Sequence, residues 1–156
     1  EGTFGGEAAS QVLTVDQLVQ RCREAVGEDR EVLARQRAVA ARFGFEPELS
    51  AYESGPSLVQ HSAMMGGYPR PGVFEKFSAF HRHTRQREIV PAYFDEYTQN
   101  SSIGLAMYFT SAAKYSIYGS WGIKESTREP CSDSAKCTGV TNWIASNQNA
   151  SVRRVM

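Results

Sequence analysis

The first clear periodicity in the chain begins at Thr14. Leu18, Val19, Cys22 and Val26 fall on one face at helical spacing, and the stretch opens with Thr14-Val15-Asp16-Gln17, the pattern of a capping box. Gly27 supplies a stop. A second helix is expected over residues 28–42, with Val32, Leu33, Ala40 and Phe43 as its buried stripe and its arginines in water. Glu31 and Arg35 sit four apart within it, and Gly44 closes it. Residues 47–53 read as a short strand ending in the turn-prone Ser54-Gly55-Pro56. Pro69, Pro71 and the glycines between Gly66 and Gly72 mark a loop, after which Phe74, Phe77 and Phe80 suggest a helical turn or two. A longer helix is expected over 88–99, with Ile89, Tyr93, Phe94 and Tyr97 inward and Pro91 tolerable in its first turn. Residues 104–110 form a run apolar enough for a strand buried on both faces. The Cys-containing stretch 127–156 reads as an irregular tail.

A strand, a helical crossover and a second apolar strand make a parallel βαβ unit, so the expected class is α/β. Two strands do not make a stable parallel sheet alone. The pattern therefore implies that further strands come from a parent chain or a companion. The opening Glu1-Gly2-Thr3-Phe4-Gly5-Gly6 lacks an initiator Met and a signal-peptide pattern, as a processed or partly observed polypeptide would.

Composition adds exclusions. Hydrophobic residues at 41% and charged residues at 22% are globular values. Seventeen basic residues balance seventeen acidic ones, so no positive excess points to nucleic acid. No apolar run reaches the roughly 20 residues of a membrane span. Cys131 and Cys137 are spaced to close a short disulfide, leaving Cys22 over. Sequons at Asn100 and Asn149 join that pair in favouring a secreted, extracellular protein. No Gly-rich phosphate loop or Cys/His cluster calls for a cofactor or metal; His61, His81 and His83 read as solvated loop residues.

Residues 49–58, with Ala51-Tyr52-Glu53-Ser54-Gly55 at their centre, resemble the AYEGGQHL element of secreted proteins related to glycoside hydrolases. Tyr93-Phe94-Asp95-Glu96-Tyr97 is similar to that group's LYxxYL helix. Residues 104–110 and Tyr118-Gly119-Ser120-Trp121-Gly122 resemble its GLFMHFN and KWGSWG motifs, and Phe4-Gly5-Gly6 its YFGG. The resemblance covers residues 1–126 and implies the C-terminal portion of a TIM-type (β/α)8 barrel, incomplete in this chain, with 127–156 as an appendage.

It also implies a site. Barrel enzymes place chemistry at the C-terminal ends of strands, where Glu53 would be the candidate nucleophile of a retaining glycosidase, with a second carboxyl about 5 Å away on a strand outside this sequence. Tyr52, Tyr108, Tyr118 and Trp121 would line the carbohydrate subsite, since aromatic faces suit the C–H surfaces of sugars, the alternative for Trp121 being to plug the end of the barrel. Ser54 stands where relatives have Gly, Ser57 where they have His, and residues 81–85 where they read NRDPR. Those departures leave the framework and alter the cleft loops. The expected function is carbohydrate hydrolysis or binding with Glu53 in the cleft. The alternative is a non-catalytic structural component of an extracellular glycoprotein fibre or coat, assembled with neighbouring subunits.

Overall fold

The computed structural model describes residues 12–45, 49–55, 58–59, 70, 72–100 and 104–152. Helix α1 spans Val15–Ala25, with the capping box complete: Gln17 N–H donates to Thr14 Oγ1 at 3.2 Å and Thr14 N–H to Gln17 Oε1 at 2.8 Å. Helix α2 spans Asp29–Arg42 and closes on a Schellman motif. Gly44 adopts φ 77°, its N–H donating to Ala41 O and that of Phe45 to Ala40 O.

Strand β1 (Ser50–Ser54) pairs in parallel with β2 (Leu105–Tyr108). The connection carries α3 (Val73–Arg82), α4 (Gln86–Asp95) and a π-helical turn over Glu96–Asn100. This is a mixed α/β arrangement with a helical crossover, as the pattern predicted. Among the described residues the sheet has two strands.

The core lies between α1, α3 and α4. Leu18 and Val19 pack on Val73, Phe77, Phe80 and Ile89, with Leu13, Val15, Cys22 and Leu58 around them. Below it, Phe94 of α4 stacks on Trp143, ring centroids 5.1 Å apart. Trp143 belongs to α5 (Ala135–Val152), a helix where an irregular tail was expected. The stretch is small and polar, with no apolar stripe to reveal it, yet its start is capped: Ser134 Oγ accepts from Cys137 N–H at 3.2 Å. Gly139 lets α5 press onto α4, where a Cβ would meet Arg87 Cα and O at 3.0 Å and Pro91 Cδ at 3.1 Å. Pro91 is the sixth residue of α4 rather than in its first turn. It cannot donate to the Arg87 carbonyl, and that carbonyl faces Gly139.

Two more expectations fail in instructive ways. Val32 on α2 and Phe43 just past its end are exposed, and Val39 is 54% exposed. That helix is tethered instead by charge, Arg30 holding Glu96 through Nε–Oε1 at 2.7 Å and Nη2–Oε2 at 2.6 Å. Strand β2 is covered on one face only: Ala106 and Tyr108 are half-buried, whereas Leu105 (54% exposed), Met107 and Phe109 face outward.

The expected disulfide is present, Cys131 to Cys137 with Cα atoms 5.2 Å apart, tying a 3-10 turn (Cys131–Asp133) to the first turn of α5. Such bonds persist in oxidising compartments. Among the described residues no helix is long and apolar enough to cross a membrane.

These burials predict opposite outcomes for two substitutions. Phe80→Ala, fully buried in the core, should lower unfolding free energy by about 3–5 kcal/mol. Val32→Ala on the exposed face of α2 should change it by less than about 0.5 kcal/mol. Urea titrations of the two variants check this.

Candidate functional site

The C-terminal end of the sheet is built around a bulge. Ala51 pairs with Ala106 and Ser54 with Tyr108, so Tyr52 and Glu53 together stand opposite Met107. A bulge re-aims side chains, and here strict alternation is broken: Tyr52 (75% exposed) and Glu53 both reach solvent. Ser54 turns inward and donates from Oγ to Met107 O at 2.9 Å, which fixes the bulge from below. Gly55 follows with φ 115°, and a Cβ there would lie 2.6 Å from the Tyr108 ring. Glycine is needed on both counts.

Tyr108 is thereby committed to packing. Its ring lies under Gly55 and 6.2 Å from Phe94, and its hydroxyl is buried without a partner among the described residues. Burial raises its pKa well above the ordinary tyrosine value. It does not join the surface with the other three aromatic candidates.

Those three are more open. Phe109 N–H donates to Ser54 O at 3.1 Å, and Thr110 N–H to Trp121 O at 3.3 Å. The ends of β1 and β2 and the Trp121 segment therefore run in one hydrogen-bonded row. The row continues as Ile123 N–H bonds to Thr110 O at 2.9 Å and Ala112 bridges Lys124 in parallel. Trp121 is half-buried, its indole lying on Gly119 (φ 148°), where any Cβ would collide with it. Its outer edge meets Phe109 edge-to-face at 5.8 Å. Tyr118 is exposed at the tip of the tight turn in which Ser116 and Gly119 pair.

Asn100 ends the π-helical turn and Asn149 falls within α5. Ser101, Ser102, Ser57 and His61 lie outside the described residues.

Behind this surface lies a polar cluster that the sequence did not reveal. Lys136 of α5 has no exposed surface; its Nζ donates to Ser120 O at 2.8 Å and Gly122 O at 3.2 Å and sits 4.8 Å from the centre of the Tyr115 ring. Arg82 lies 5.4 Å from the same centroid and grips Glu125 through two hydrogen bonds, 2.5 and 2.8 Å. His81, expected in a solvated loop, is 1% exposed. Its Nε2 accepts from Leu58 N–H at 2.9 Å, and its ring is 5.7 Å from that of Tyr115. His83 is only half-buried, 3.2 Å from Asp16 Oδ1. Helical spacing places Phe77, Phe80 and His81 at i, i+3 and i+4, on one core-facing side, the signal that was available. For Lys136 there was none, since it sits in a stretch without apolar periodicity.

Among the described residues no His/Cys/Asp/Glu cluster could hold a metal ion. No known protein family, curated protein or solved structure matches the chain.

The buried cluster sets a pH dependence. Burial, with the neighbouring Lys136 second, pushes His81 well below its usual pKa of 6.5, so the folded state refuses a proton that the unfolded chain accepts. Stability therefore falls as pH drops below 6.5. Burial also pulls Lys136 from 10.5 down to about 7, opposed by Glu125. The unfolded chain then binds one more proton above pH 7, and stability rises from there toward 10.5. Burial raises the Cys22 thiol from 9.0 to about 11 and opposes that rise beyond pH 9. Between pH 7 and 9 the slope should approach roughly 1 kcal/mol per pH unit. Denaturant titrations across this window check it: Lys136→Met should flatten the rise, and His81→Leu should remove the loss below 6.5.

Proposed function

We propose that the chain binds carbohydrate at the C-terminal end of its parallel strands, as the C-terminal part of an extracellular glycoside-hydrolase-like (β/α)8-barrel protein. The observation that carries this reading is the meeting of an exposed carboxylate with exposed aromatic surface at that end. The bulge presents Tyr52 and Glu53, while hydrogen bonds align Phe109 and Trp121 with the strand ends. In open α/β sheets ligands bind beyond the carboxyl ends of the strands. Sugars offer both things such a surface can use: C–H faces that stack on rings, and hydroxyls that donate to a carboxylate.

Binding is favoured over bond cleavage. A retaining glycosidase needs a second carboxyl about 5 Å from the nucleophile. On the segment flanking Trp121, Glu125 is held by Arg82, and Glu129 accepts the Glu125 N–H at 2.6 Å. In this reading Glu53 orients hydroxyls rather than attacking carbon, and any glycosidic activity draws its acid/base from sequence beyond this chain.

The outward stripe of Leu105, Met107 and Phe109 on β2 favours a second reading, a non-catalytic structural component whose sheet face meets a neighbouring subunit. Oligosaccharide titrations monitored by calorimetry separate the two. Carbohydrate binding predicts that Trp121→Ala weakens affinity at least tenfold, about 1.4 kcal/mol, and Glu53→Gln by a smaller factor. Absence of binding across neutral, acidic and amino-sugar oligomers, together with self-association broken by Met107→Lys, would replace it by the structural reading.

A further inference from the structure

Trp121 is held from behind by groups that a sugar would never touch. The two carbonyls that receive Lys136 Nζ, those of Ser120 and Gly122, stand on either side of Trp121 in the chain. Tyr115 adds its hydroxyl, donating to the same Gly122 O at 3.4 Å. Gly122 itself is enclosed, since a Cβ there would meet Ala113 N and O at 2.6 Å. The backbone on both sides of the indole is therefore fixed by one buried amine on a helix that the Cys131–Cys137 bond and the Ser134 cap hold in place.

We infer that Lys136 and Tyr115 are positioning residues for the Trp121 surface, and that protonation of Lys136 governs how tightly that surface is held. The inference rests on the carbohydrate reading only for the identity of the ligand; the holding of Trp121 stands on hydrogen bonds.

The amine's chemistry supplies the coupling. A neutral amine has two N–H donors, which two carbonyls satisfy. An ammonium has three, and the third has only the Tyr115 face, a weaker partner than water. Releasing the 119–123 segment would give the charged form water, so opening is favoured where Lys136 carries its proton. With its pKa lowered by burial to about 7 in the closed state and returning toward 10.5 in the open one, opening grows as pH falls from 10.5 toward 7 and is level below that. The charged and titratable groups around it do not reverse this. From α3 come His81, kept neutral by burial, and Arg82, paired with Glu125. From the loop come Tyr115, whose pKa burial raises, Glu125, whose pKa its bond to Arg82 lowers, and Glu129, engaged with the Glu125 N–H. On α4, Arg87 lies against Gly139 and Asp95 accepts from Trp143, both further along α5.

The test uses the Trp143→Phe chain, in which Trp121 is the remaining tryptophan, with acrylamide quenching followed from about pH 9 to about pH 6.5. Quenching should rise about threefold toward pH 7 and then level. Lys136→Met in the same background should show raised, pH-independent quenching with helicity intact. Should that variant not fold, Tyr115→Phe, which deletes one hydroxyl, should raise quenching about 1.5-fold at pH 9. Flat quenching across the range, or Tyr115→Phe and a folded Lys136→Met both quenched as the parent, would overturn the inference. Oligosaccharide titrations on the same proteins keep the two ideas apart. A pH-dependent Trp121 without sugar binding defeats the carbohydrate reading alone; sugar binding with a Lys136-insensitive Trp121 defeats the positioning role alone.

Discussion

A lysine amine with no exposed surface is the constraint around which the second half of this molecule is arranged. Removing an ammonium from water is costly unless its donors are met, and meeting them draws three parts of the chain together. The 119–125 segment supplies two carbonyls, Tyr115 a ring face, and Arg82 with Glu125 an outer charged pair against the same ring. Helix α5 delivers the amine, and it can do so because Gly139 allows that helix to sit against α4. The disulfide fixes the start of the same helix six residues from its partner. A single polar requirement thus links a stretch with no apolar stripe to the surface that carries Trp121.

The sheet poses the opposite problem, apolar surface in excess. Strand β2 is written as a fully buried parallel strand, but the helical crossover covers only one of its faces. Parallel strands normally have both faces covered. Leu105, Met107 and Phe109 are therefore the place where the described part of this fold is incomplete in hydrophobic terms. A barrel interior and a subunit interface would each resolve that incompleteness. The carbohydrate reading draws on the end of the strands and the structural reading on their face, and the two meet at Phe109, which belongs to both.

The local signals in the sequence proved reliable where they rest on backbone chemistry. The capping box at Thr14, the Gly44 stop and the short disulfide need only neighbours within a few residues, and each is realised. Burial was legible where periodicity and partners coincide, as in Leu18, Phe77 and Phe80. It was misread on α2, where Val32, Leu33, Ala40 and Phe43 suggested a stripe but the structure holds the helix by Arg30 and Glu96, sixty-six residues apart. The site was half legible. Glu53, Tyr52, Tyr118 and Trp121 do gather near the strand ends or reach solvent, yet Tyr108 is drawn inward because Gly55 leaves room for its ring. Lys136 escaped notice because a buried amine is unreadable without its acceptors, and those lie on a loop whose path only the fold determines, whereas for His81 the helical spacing from Phe77 and Phe80 was the signal.

The bulge at Tyr52 and Glu53 is what brings both side chains into solvent at the strand end. In a regular strand one of the pair would lie on the covered face, and alternation gives no means of exposing both. One additional residue opposite Met107 frees them together, while Ser54 restores the pairing by bonding to Met107 O. Ser54 therefore has a physical role here: its hydroxyl anchors the bulge. It secures the backbone beneath Glu53 without contributing a second acid, and in the proposed carbohydrate reading that suits a carboxylate that orients hydroxyls.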